Sequence, residues 1–110
     1  MNWKSLDQQG TLATIVERSK EQPVLIFKHS TRCSVSFMAK KNVEWQLNQD
    51  IESYLLDLIK YRSISNEIAD LFAIVHQSPQ AILIKNGKAI YHASHSDIDA
   101  DKINELCAST

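Results

Sequence analysis

The apolar positions of this chain change their period several times, and each change marks an element. Within 11–22, TLATIVERSKEQ, Leu12, Ile15 and Val16 recur at helical spacing with charge on the opposite side, and Pro23 closes the segment, which predicts a helix. The next run, VLIFK at 24–28, is short, continuous and rich in strand formers, as expected of a strand buried on both faces of a sheet. Over 33–49, Val35, Met38, Ala39, Val43 and Leu47 share roughly one helical face. ESYLLDLI at 52–59 reads as a strand from its position between two helical segments. Ile64, Ile68, Leu71 and Phe72 then form the stripe of a third helix, with Ser63 or Ser65 as its cap and an end near Ala73.

Two strand-like runs follow, 80–85 and 88–93, joined by Asn86-Gly87. That dipeptide suits the positive φ angles of a type I′ turn, so the pair is predicted to be a hairpin. Ser96 with Asp99 three residues later resembles a capping box, and Ile98, Ile103 and Leu106 continue as a last helix. The order is thus helix, strand, helix, strand, helix, strand, strand, helix. Two crossovers, an antiparallel hairpin and a closing helix make an α/β domain: a central mixed sheet of about four strands with helices on both faces. A thioredoxin-like fold fits that order, and periodicity alone also permits other small α/β arrangements.

Composition narrows the partners. The 110 residues are expected to form a single domain over 1–110, with 44% hydrophobic and 23% charged residues and no sign of disorder. A formal charge of -1 offers no broad positive field for a nucleic-acid backbone. No apolar run is long enough to span a membrane and MNWKSLDQQG lacks the pattern of a secretory leader, so the expected home is the cytoplasm. There, two cysteines are normally kept as thiols.

The question then becomes reactivity, and it centres on HSTRCSVS at 29–36. Cys33 falls where a buried strand gives way to a helix, so its sulfur meets the partial positive charge and unpaired N–H groups of a helix N-terminus. Such surroundings favour the thiolate, the form that attacks a disulfide, and His29, Arg32 and a suitably turned Lys28 would add to the effect. Ser36 stands where dithiol oxidoreductases carry a second cysteine. It can donate a hydrogen bond to the Cys33 sulfur but cannot form a disulfide with it, so another thiol must resolve any adduct. In the thioredoxin-like fold Ser78-Pro79 lies beside this loop, with Pro79 cis and the Ser78 backbone free to pair with an extended substrate. The competing view of Cys33 is a packed core thiol.

Taken together, FKHSTRCSVS, SNEIADLF, HQSPQAILIKNGK and YHASH resemble the monothiol bacilliredoxins of the bacillithiol-system, general-stress type, from about Trp3 to Leu106. The resemblance implies a thiol–disulfide oxidoreductase that removes bacillithiol, a small cysteine-containing thiol, from S-bacillithiolated client proteins. Cys33 would be the nucleophile, supported by Thr31, Arg32, Ser34 and Ser36, with Ser78 and Pro79 meeting the substrate. A second bacillithiol would act as the reducing co-substrate, and no metal is expected. Tyr91 departs from the tryptophan frequent at that point of the family.

Other readings remain at this stage. His92 and His95 face opposite sides of a strand and have no further ligand close in sequence, which argues against zinc. Cys107, in the last helical turn, reads as incidental rather than resolving. A redox-inactive interaction module would keep the fold and leave Cys33 vestigial. An iron–sulfur carrier like the monothiol glutaredoxins would need Gly-Phe where Ser34 and Val35 stand.

Overall fold

The computed structural model describes residues 1–109. In chain order it contains β1 (Trp3–Ser5), α1 (Gly10–Arg18), β2 (Val24–His29), α2 (Ser34–Gln46), β3 (Glu52–Asp57), α3 (Arg62–Phe72), β4 (Gln80–Lys85), β5 (Lys88–Ser94), a 3-10 turn (His95–Asp97) and α4 (Ala100–Ala108). The sheet runs β1-β3-β2-β4-β5. β2 pairs parallel with β3 and antiparallel with β4, so it forms the centre of a mixed sheet.

All six residues of β2 are buried, and their alternation divides the interior in two. Val24 and Ile26 join Leu12 and Ile15 of α1 and Ile64, Ile68 and Phe72 of α3 on one face. Leu25 and Phe27 join Val43 of α2 and Ala100 and Ile103 of α4 on the other. Helices therefore cover both faces, as the order of elements predicts.

Four local features differ from the sequence-based expectation. The sheet has a fifth strand, β1, whose three residues are too few to carry a periodic signal; it pairs with β3 through Trp3↔Ser53 to Ser5↔Leu55. α1 stops at Arg18 rather than running to 22, because Ser19 ends it. The Ser19 hydroxyl donates to Val16 O at 2.6 Å and accepts the Gly87 N–H at 2.9 Å, while its carbonyl takes the Asn86 N–H at 2.8 Å. Neither Ser63 nor Ser65 caps α3. The N-cap is Tyr61, and the Asp57 carboxylate organises the preceding turn by accepting the N–H groups of Ile59 and Lys60. Finally, Asp99 itself caps α4, accepting the Lys102 N–H at 3.2 Å, and Ser96 lies in the 3-10 turn before it.

The hairpin follows the prediction closely. Asn86 and Gly87 have φ of 53° and 74°, the double positive-φ geometry of a type I′ turn, and β4 and β5 pair from Lys85↔Lys88 to Gln80↔Ser94. Tyr91 of β5 accepts the Asp99 N–H through its hydroxyl at 3.1 Å, which fixes the start of α4.

Candidate active site

The register brings three connections to one end of the sheet. β2 leaves the sheet at His29, and Lys28 is paired with Gln80, so the segment before β4 opens beside the loop after β2. The peptide bond between Ser78 and Pro79 in that segment is cis. The third connection, after β5, is tied to the second by His95 N–H donating to Pro79 O at 3.0 Å.

Cys33 is the N-cap residue of α2, in extended conformation at φ -116° and ψ 121°. It is half-buried, between exposed Thr31 and Arg32 on one side and exposed Ser34 on the other. Its own N–H is held by Ser30 O at 3.2 Å, and its carbonyl accepts the Phe37 N–H that opens the helix. Cys33 is thus a partly exposed residue rather than a fully buried one, and it stands where first-turn N–H groups of α2 lack helical partners.

Ser36 does not act in the way the spacing predicts. It is fully buried, and its hydroxyl is engaged by the Ser30 N–H at 3.0 Å and by His29 Nδ1 at 2.7 Å rather than by the Cys33 sulfur. His29 is buried as well. Burial and nearby Lys40 hold its imidazole below the usual range, against the opposing pull of Asp57 and Glu44, so it adds no fixed positive charge to the loop at neutral pH.

Lys28 also departs from expectation. Strand alternation sends its side chain to the face covered by α3, away from the α2 face on which His29 meets Ser36. It is fully buried, with Nζ donating to Ser65 O at 3.1 Å and lying 3.2 Å from His76 Nδ1. Burial lowers this amine to about 8. Lys28 thus supports the segment that leads to Pro79. Ser65, expected at a helix start, joins the same cluster through its hydroxyl, 3.2 Å from His76 Nδ1. Ser78 Oγ and Gln80 Oε1 are buried nearby in sequence and find no hydrogen-bond partner among the described residues.

Sequence reasoning did not find the groove that begins directly after Cys33. It has a volume of about 360 Å³ and runs between Ser34, Val35, Met38 and Ala39 of α2 and His95, Ser96 and Ile98. Its signal in the sequence was ambiguous, since Val35 and Met38 read as core positions yet are 52% and 58% exposed.

The second cysteine lies elsewhere. Cys107 lines a depression with Pro23 and Ile51, the residues just before β2 and β3, whereas Cys33 follows the opposite end of β2. A strand of that length separates them by about 20 Å, far beyond disulfide reach. Burial and Asp50 push the Cys107 thiol up to about 11, the reverse of what a resolving nucleophile needs. Among the described residues no group of three or more His, Cys, Asp or Glu could hold a metal ion, and no helix is long and apolar enough to cross a membrane.

A mixed sheet, a thiol at the start of α2 and a cis-proline segment beside it define a thiol–disulfide oxidoreductase of the thioredoxin fold. The structure is similar to that of a protein described as a candidate oxidoreductase with a thioredoxin fold, at 27% identity and a TM-score of 0.82 over 92% of this chain and 89% of that one. It is also similar to thioredoxin from Fasciola hepatica (16% identity, TM-score 0.74, 96% and 97% of the two chains). Thioredoxin from Malassezia sympodialis is similar in the same way (15% identity, TM-score 0.73, 98% and 90%). These last two likenesses concern the fold. Residues 4–103 match the model of the monothiol bacilliredoxin BrxC family, and the chain belongs to that family.

Proposed function

We propose that Cys33 is the nucleophile of this enzyme and that its substrates are proteins carrying bacillithiol in mixed disulfide. The Cys33 thiolate attacks the bacillithiol sulfur; a new S–S bond forms to Cys33 as the client sulfur leaves with the electron pair of the old one. A second bacillithiol, as thiolate, then attacks the adduct and releases Cys33, leaving bacillithiol disulfide as the other product. Thiol redox chemistry of this kind suits a reducing compartment such as the cytoplasm.

The observation that carries this reading is the combination at the start of α2: a half-buried thiol at the N-cap and an oxygen, not a sulfur, at position 36. Ser36 cannot capture the adduct, and Cys107 is at the wrong end of the sheet. Thiol exchange with an external small thiol is what remains. Thr31, Arg32 and Ser34 are exposed around the sulfur and available to the polar body of that thiol, while the Ser78 backbone and Pro79 lie beside the loop for the client chain.

Mass spectrometry after treatment with bacillithiol disulfide, glutathione disulfide or cystine tests this directly. The expected result is one dithiothreitol-reversible adduct on Cys33, formed fastest from bacillithiol disulfide, and no turnover by Cys33→Ser. An adduct confined to Cys107, or full activity in Cys33→Ser, overturns the assignment.

A further inference from the structure

Among the described residues three other than glycine have positive φ: Ala73 at 54°, Asn86 at 53° and His95 at 55°. Two are explained by their motifs. Ala73 closes α3 as its left-handed C-cap, and Asn86 is the first corner residue of the type I′ turn. His95 differs, because the left-handed region disfavours a side chain and its backbone role there does not need one. Its N–H donates to Pro79 O at 3.0 Å and its carbonyl accepts the Ile98 N–H at 3.4 Å. A glycine would make both bonds without the steric cost. The residue is exposed, and among the described residues its ring takes part in no hydrogen bond, ion pair or ring contact. A backbone outlier whose cost no internal contact of its side chain offsets points outward, to a ligand.

The place of His95 narrows the ligand. The 3-10 turn that it opens packs against α2, and His95 lines the groove of about 360 Å³ together with Ser34, the residue after Cys33. That volume is at the lower end for sites that bury a small molecule, and the lining has the matching make-up. Val35, Met38 and Ile98 offer carbon, while His95 and Asn42 offer hydrogen-bonding groups. Of the two halves of a client mixed disulfide, only the small thiol becomes bonded to Cys33 and so is tethered beside this space.

We infer that His95 is a specificity-determining residue: its imidazole hydrogen-bonds the polar body of the bacillithiol carried on Cys33, while the carbon skeleton of that thiol lies along Val35, Met38 and Ile98. This rests on Cys33 being the residue that takes up bacillithiol. Held in this way, the bacillithiol sulfur is fixed for attack by the second bacillithiol, and a thiol without a matching polar group is held less well.

The test measures adduct formation on Cys33 with bacillithiol disulfide and with 2-hydroxyethyl disulfide, which carries only a short alcohol beyond each sulfur. In His95→Gly the ratio of the two rate constants, bacillithiol over hydroxyethyl, should fall about fivefold, the worth of one hydrogen bond. The denaturation midpoint of that variant should stay level or rise, since glycine relieves the left-handed strain. In the unsubstituted protein the NMR signals of the His95 ring should differ between the bacillithiol and hydroxyethyl adducts. An unchanged ratio, or identical ring signals in the two adducts, overturns the contact. A lowered midpoint would show that the ring serves the fold, and overturns the inference at its premise. If the unsubstituted protein forms no adduct on Cys33 with either disulfide, the assignment of Cys33 as nucleophile has failed, and the role of His95 falls with it.

Discussion

Lys28 and His29 are neighbours in the chain, both polar and both buried, yet they end on opposite faces of the sheet and do different work. Lys28 lies against α3, and among the described residues its partners are neutral, a carbonyl and an imidazole, with no carboxylate paired to it. His29 lies against α2, takes the Ser36 hydroxyl, and has acidic and basic groups near it that oppose one another. Each supports one of the two connections that meet at Cys33. The difference is one of cost: a cation without a counter-charge is held at a penalty, whereas a neutral ring with a hydroxyl partner is a net gain.

Substitution should therefore have opposite signs on the two faces. His29→Ala removes a buried ring that packs near Phe27, with centroids 6.5 Å apart, and is expected to lower unfolding free energy by about 3 kcal/mol in chemical denaturation. A loss below about 1 kcal/mol would show that α2 closes over the gap. Lys28→Met keeps the volume and removes the charge, so at pH 7 it should raise stability by about 2 kcal/mol; a loss of stability would mean the hydrogen bonds outweigh desolvation.

The pH dependence sharpens the same point. Burial lowers the Lys28 amine from 10.5 to about 8, so between those values the unfolded chain binds more protons than the folded one. Stability of the unsubstituted protein should then rise with pH across that window relative to Lys28→Met, and the advantage of the variant should shrink. Denaturation midpoints of the two proteins measured side by side would reveal it, and a constant gap would refute it. The smallest effect is expected at the end of α3, the helix whose Ser65 carbonyl receives Lys28. Ala73 there sits in left-handed conformation at φ 54°, so Ala73→Gly should add about 0.5 kcal/mol. A drop in melting temperature would count against it.

Much of this was legible in the sequence because it is local. The Asn86-Gly87 turn carries its own backbone preference, the stripes of α1 and α3 carry their period, and Cys33 follows a buried apolar run. What escaped depends on residues far apart in the chain. β1 is only a partner for β3, and no three-residue pattern announces it. His29 and Ser36 meet because the end of a strand delivers one and the first turn of the next helix delivers the other. The orientation of Lys28 was within reach, since strict alternation from Ile26 puts it on the α3 face. That the amine would be buried there without an acid could not be read, because burial of a charge runs against the usual cost.

The clasp around Ser19 has a practical consequence. Short exposed turns are the customary sites for grafting an epitope or a binding loop, and Asn86-Gly87 looks like an obvious one. Yet the N–H groups of both residues terminate on Ser19. Lengthening that turn would detach the last hairpin from the first helix, so anyone using this protein as a display scaffold should leave its tightest corner alone.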